Sequence, residues 1–153
     1  PAAIRRVRAH REAGHRTVLI TGALDLVVEN LKPLFDDIVA AEMTTQNGNY
    51  TGELRTVPPT GETRAQVMAH WAEQHGLDLG EGVVYADATS DLPVLEAVGH
   101  PVVVNPEVRL AAIAERRGWL AEQWATAPGP SRPLLPIAST WRGIAGTKIR
   151  RSS

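Results

Sequence analysis

The sequence predicts an α/β fold: a parallel sheet with helices on both faces, and a small β-hairpin beside it. Three observations carry this. Short aliphatic and β-branched runs alternate with segments of helical length and spacing, the pattern of strand–helix–strand crossovers. Those runs are apolar without alternation, as strands buried on both faces are. One Asn-Gly pair between extended segments marks a hairpin.

In chain order, Ile4 to Ala13 is expected to be a helix stopped by Gly14, followed by a buried strand at Thr17-Val18-Leu19-Ile20. Leu24, Val27, Val28, Leu31 and Leu34 have helical spacing and predict a helix over 24–34. Asp37 to Ala40 reads as a second strand, and Gln46-Asn47-Gly48-Asn49-Tyr50 as the hairpin turn. Pro58-Pro59-Thr60-Gly61 breaks the chain before a helix from Glu62 to His75, closed by Gly76. Val83-Val84-Tyr85 is a third strand, Leu92 to Ala97 a helix, Val102-Val103-Val104 a fourth strand and Glu107 to Arg117 a helix. A short strand is expected within Trp119 to Trp124. The core domain is then residues 1–124. From 125 to 153 the composition changes: Ala127 to Pro133 is rich in Pro and Gly, and Lys148 to Arg151 is basic, which predicts a linker or flexible tail.

Composition excludes several classes of function. With 153 residues, 43% hydrophobic and 22% charged, the chain is one globular domain with enough material for a core. A net charge of −1 gives no electrostatic footprint for nucleic acid. The absence of Cys removes disulfides, thiolate metal sites and cysteine nucleophiles. No apolar run approaches the roughly 20 residues of a membrane-spanning helix, and Pro1 to Arg6 lacks the apolar stretch of a signal peptide. The expected compartment is the cytoplasm. The start at Pro1, without Met, is what a segment removed from the front of the chain would leave.

In parallel sheets ligands bind outside the C-terminal ends of the strands. Three segments there carry chemistry. Tyr85-Ala86-Asp87-Ala88-Thr89-Ser90-Asp91-Leu92-Pro93 places two carboxylates four residues apart around a tight strand-to-helix turn. Such hard oxygen ligands suit Mg²⁺, but on spacing alone a turn cap at Asp87 and a helix-dipole acid at Asp91 fit equally well. Thr21-Gly22, at the end of a strand, offers a hydroxyl and free backbone N–H groups to an anion; taken alone, an N-cap is the commoner use. Arg64, at a helix start, could fork onto a phosphate, although a solvated Arg is the commoner reading of such a residue.

Taken together, the three segments resemble the haloacid-dehalogenase superfamily, and within it the phosphoserine-phosphatase-like branch. The likeness covers about Pro1 to Trp124 and is most specific from Asp87 through Val94-Leu95-Glu96-Ala97-Val98-Gly99-His100-Pro101 to Val104-Asn105-Pro106. It implies a Rossmann-like core in which Thr21 hydrogen-bonds phosphate, Arg64 stands where a Lys is usual, and Asp87 ligates Mg²⁺ with Asp91 in the same site. Ala86 and Ala88 replace the usual Gly and Ser. The family's first motif, Asp-x-Asp-x-Thr/Val, supplies the attacking carboxylate and is absent from these 153 residues. The resemblance places it, and the cap that follows it, upstream of Pro1.

The function so implied is Mg²⁺-dependent hydrolysis of a small-molecule phosphate monoester through an aspartyl-phosphate, with catalysis at Thr21, Arg64 and Asp87, phosphate binding at Thr21, Gly22 and Arg64, and metal at Asp87 and Asp91. The 153 residues alone are expected to be inactive. Two alternatives stand beside it: a non-catalytic binding or scaffold domain of the same descent, and a phosphatase-like module fused to an acyltransferase or reductase. The expected partners are the substrate and the N-terminal segment or a fused domain.

Overall fold

A computed structural model describes residues 1–125 and the backbone of residues 145–149. Along the chain, α1 (Ala2–Glu12) leads into β1 (Arg16–Leu24), α2 (Asp25–Val28), a 3₁₀ turn (Glu29–Leu34) and β2 (Asp37–Ala41). The hairpin β3 (Met43–Gln46) and β4 (Asn49–Leu54) follows, then α3 (Gly61–Gln74). The second half consists of β5 (Val83–Ala86), a 3₁₀ turn (Thr89–Asp91), α4 (Leu92–Glu96), β6 (His100–Val104), α5 (Val108–Arg117), β7 (Leu120–Glu122) and β8 (Ala145–Ile149).

The main sheet has the order β2-β1-β8-β5-β6-β7. The β1–β2, β5–β6 and β6–β7 pairs are parallel, as expected of strands joined by helical crossovers. Successive strand residues point to opposite faces, so each strand feeds two clusters. Val18 and Ile20 of β1, Val84 and Ala86 of β5 and Val103 of β6 pack with Met68, Trp71, Leu95 and Leu110 from α3, α4 and α5. Leu19 and Ala23 turn the other way, onto Val7 of α1, Val28 of α2 and Phe35. Val83, Tyr85 and Val102 form a third cluster with Trp124 at its edge. Helices therefore cover both faces, and no helix among the described residues is long and apolar enough to cross a membrane.

The hairpin turn has Asn47 and Gly48 at φ 52° and 78°, the two left-handed residues a tight two-residue connection requires. Close packing fixes Gly99 as well: a Cβ there would stand 1.7 Å from the Gly80 carbonyl oxygen.

Two regions depart from expectation. The helix anticipated over 24–34 is α-helical only from Asp25 to Val28 and continues as a 3₁₀ turn containing Pro33. Proline has no N–H to donate, and its ring crowds the carbonyl four residues earlier, so the wider helix does not propagate through it. The expected tail contains a strand: Ala145–Ile149, including Lys148 of the basic end, forms β8 inside the sheet, antiparallel to both neighbours. The Pro-rich part of that tail, around Ala127 to Pro133, lies outside the described residues.

Candidate phosphate and metal site

The candidate residues lie towards one edge of the sheet, in the C-terminal part of β1, the first turn of α3 and the turn after β5. Pairing of β1 with β2 runs in register from Val18 opposite Asp37 to Ile20 opposite Val39, breaks, and resumes at Leu24 opposite Ala41. In the break, Thr21, Gly22 and Ala23 of β1 face the single residue Ala40 of β2. Thr21 is buried, and its Oγ1 accepts a hydrogen bond from the Ala23 N–H at 3.1 Å. This short turn orients the hydroxyl locally. Gly22 passes under the start of α3, where a Cβ would come within 2.9 Å of Thr60 Cγ2. Glycine is what allows the Thr21–Ala23 turn and the Pro59–Gly61 segment to close on each other.

The N-terminus of α3 reaches the β5 turn on its other side. Arg64, in the first turn of α3, is 5% exposed, not solvated, as a lone Arg at a helix start ordinarily is. Its Nε donates to the Pro59 carbonyl at 3.1 Å, and Nη1 donates to Asp91 Oδ1 in a buried ion pair. Sequence spacing could not show this, because the partner is 27 residues away. Asp91 is 1% exposed and ends the 3₁₀ turn that leads into α4. Burial pushes the Asp91 carboxyl above its ordinary value; Arg64 pulls the other way and the charge of Asp87 adds to the rise. Loss of hydration outweighs the attraction of a single guanidinium, and the Asp87 contribution shows the two carboxylates to be electrostatic neighbours.

Asp87 follows β5 directly and is half-buried, with Oδ1 held out of solvent. Its backbone carbonyl accepts from the Glu107 N–H at 2.9 Å. Glu107 in turn accepts from both the N–H and the hydroxyl of Thr89, each at 3.2 Å. The start of α5 thus clamps the Asp87–Asp91 turn from below. Glu107 and Thr89 were not among the candidates in the sequence. The one available signal was the position of Glu107 just ahead of a helix and two residues past Asn105, itself left-handed at φ 44°. Among the described residues no group of three or more His, Cys, Asp or Glu side chains forms a preassembled metal cage. A groove lined by Leu95, Val98, Pro101, Arg117 and Trp119 opens at the opposite edge, beside the starts of β6 and β7, and holds none of the candidates.

Comparison with known proteins agrees with this fold. Over 119 residues the chain is 30% identical to a histidinol-phosphatase of Neisseria meningitidis serogroup C, covering 74% of this chain and 54% of that one. Over 123 residues it is 30% identical to a phosphoserine phosphatase of Mycobacterium tuberculosis, covering 80% of this chain and 35% of that one. The crystal structure of a protein of unknown function from Bordetella pertussis Tohama I superimposes with a TM-score of 0.71 at 30% identity, over 78% of this chain and 56% of that chain. The chain thus spans about a third to a half of the length of these relatives. The model of the haloacid dehalogenase-like hydrolases matches residues 1–96, which include Thr21, Arg64, Asp87 and Asp91, and the chain belongs to that family.

Proposed function

We propose that this chain is the phosphate- and metal-binding part of a cytoplasmic, Mg²⁺-dependent phosphoric monoester hydrolase whose attacking carboxylate lies in a segment preceding Pro1. The observation that carries the reading is the convergence of Thr21, Gly22, Arg64, Asp87 and Asp91 at the ends of β1 and β5. The names of the relatives, both phosphatases, support it.

The donor set fits a hard divalent cation. Mg²⁺ takes one or two carboxylates and fills its remaining positions with water and phosphate oxygens. Asp87, with a buried oxygen beside a second carboxylate, would be the ligand, and Asp91 would sit in the same site directly or through water. When bound, the cation would supply neutralisation of the phosphoryl charge.

The chain's own residues would do the rest. The Thr21 hydroxyl and the Gly22 backbone would receive phosphate oxygens at the break in β1 pairing. Arg64, held by Pro59 and Asp91 through Nε and Nη1, would direct its remaining terminal nitrogen to the same group. The Asp91 contact fixes the guanidinium before substrate arrives, so little ordering is left to do on binding. The upstream carboxylate oxygen would form a bond to phosphorus while the ester P–O bond breaks and the alcohol leaves with a proton. Water would then hydrolyse the acyl phosphate, releasing inorganic phosphate and restoring the carboxylate.

The test combines binding with turnover. Addition of Mg²⁺ to the 153-residue chain should shift the amide resonances of Asp87 and its neighbours, and Asp87→Asn should abolish the shift. The chain alone should release no phosphate from monoesters. No response at millimolar Mg²⁺, or steady release abolished by Asp87→Ala, overturns the reading.

A further inference from the structure

We propose that His10 and His15 form a chelate for one divalent transition-metal ion of the zinc kind, bound through their two Nδ1 atoms, with water completing its shell. The pair stands where α1 passes into β1, at the end of that strand opposite Thr21, and shares no residue with the candidate phosphate site.

The end of α1 builds the pair. Gly14 is left-handed at φ 78°, its N–H donates to the Arg11 carbonyl at 2.9 Å, and the His15 N–H donates to the His10 carbonyl at 3.0 Å. Together these make a glycine-capped helix ending, in which the third residue from the helix end and the second residue after the cap commonly touch through apolar side chains. Here those two positions are His10 and His15. Their ring centres are 5.4 Å apart but their Nδ1 atoms only 3.2 Å, so the two nitrogens point towards each other. Both residues are half-buried: the backbone fixes the pair, and solvent still reaches it.

Two facing imidazole nitrogens share one proton, because only one of them can present an N–H to the other. A metal ion in that place needs both lone pairs. Zinc binds imidazole nitrogen at about 2.0–2.1 Å in tetrahedral geometry, which sets two such ligands roughly 3.3 Å apart. The 3.2 Å span of the pair is close to that value. His10 also has the outer contact by which ligating histidines are oriented: its Nε2 lies 2.7 Å from the Tyr85 hydroxyl, which accepts from Arg6 Nη1 at 3.2 Å. With metal on both Nδ1 atoms, each neutral ring keeps its proton on Nε2, and His10 donates that proton to the Tyr85 oxygen. Imidazole suits zinc and its neighbours, whereas Mg²⁺ favours carboxylate and water. Two protein ligands are fewer than the three or four of resident zinc sites, so the ion is exchangeable and its occupancy follows its concentration.

The chain has five His and no Cys, so its imidazoles can be followed one by one without competing thiolates. Zinc chloride is titrated into the isotope-labelled 153-residue chain, and the ring nitrogens are observed by NMR. The Nδ1 resonances of His10 and His15 should shift together and saturate together, while His70, His75 and His100 stay in place. In His10→Ala the His15 ring should need at least about tenfold more zinc to shift, and in His15→Ala the His10 ring should behave likewise, because each variant leaves one ligand where two had converged. Should either variant fold poorly, the ring spectra of the unmodified chain decide. No shift at millimolar zinc, a shift in one ring without the other, an equal response to Mg²⁺, or a remaining ring that titrates as in the parent overturns the proposal. None of these readouts involves phosphate, turnover or Asp87, so the outcome is independent of the function proposed above.

Discussion

Two arginines in this molecule each hold a carboxylate from a distant part of the chain, in opposite surroundings. Arg6, on α1, grips Glu122 of β7 with both terminal nitrogens, at 3.0 and 2.7 Å, and donates to the Tyr85 hydroxyl at 3.2 Å. Its guanidinium also lies 5.6 Å from the ring centres of Tyr85 and Trp124. The side chains stay partly in water, 37% and 20% exposed. The side chains of Arg64 and Asp91 are 6% and 1% exposed, and Asp91 has the charge of Asp87 nearby. The first pair fastens a helix to a sheet with good geometry and little desolvation. The second gives up the hydration of two ions for one charge contact, at the edge where the candidate site lies. Buried pairs of this kind contribute little net stability, although losing one partner is severe. On the function proposed above, Arg64–Asp91 is placed for what it would present to a phosphate, whereas Arg6–Glu122 is placed for packing.

The largest effect should come from Arg64→Ala, which strands a buried carboxylate; urea unfolding should show a loss of about 3–5 kcal/mol. Replacing both partners, Arg64→Leu with Asp91→Leu, should return most of that loss and leave stability within about 1 kcal/mol of the parent, while removing any phosphate response. If Arg64→Ala costs no more than Arg6→Ala, the contrast collapses. The pH dependence sharpens it further. Because the folded Asp91 carboxyl titrates above its ordinary value, its contribution to stability is full below about pH 4 and is lost as pH rises through the raised value. The stability of the parent relative to Asp91→Asn should therefore fall as pH climbs from 4, when the two are unfolded at a series of pH values. Arg6→Ala should cost about 1 kcal/mol, and a double-mutant cycle with Glu122→Gln should give a coupling that shrinks with added salt. Lys32→Ala sets the floor of the series. Its pair with Glu29, 3.2 Å apart with both partners about two-thirds exposed, should contribute no more than about 0.5 kcal/mol in the same assay.

Much of the sheet was legible in the sequence, because the strands Thr17–Ile20, Val83–Tyr85 and Val102–Val104 carry unbroken aliphatic runs that only a doubly covered sheet accommodates. The hairpin was legible for a local reason as well, since Asn47-Gly48 is suited to its left-handed turn. Where reading failed, the deciding interaction was distant. The burial of Arg64 depends on Asp91, and the 3₁₀ turn at Glu29–Leu34 reflects Pro33 overriding an apolar spacing that was otherwise helical. β8 was illegible because its residues carry a weak strand signal and its place exists only once β1 and β5 stand apart. At the site, strand ends and the family resemblance picked out the five candidates, but the clamp of Glu107 on Thr89 and on the Asp87 backbone links elements that no short window contains.

The break in pairing between Ile20 and Leu24 carries a consequence for anyone trying to harden this fold. Three residues facing one are a bulge, and bulges locally interrupt the ladder and bend the strand. Removing the surplus residues would let β1 and β2 zip continuously and would raise the melting temperature. Two of Thr21, Gly22 and Ala23 would have to go, so every such deletion takes Thr21, Gly22 or both. Selection for heat resistance alone would be drawn to this turn and, on the function proposed above, would return robust, inert variants. Here durability and chemistry compete for the same three residues.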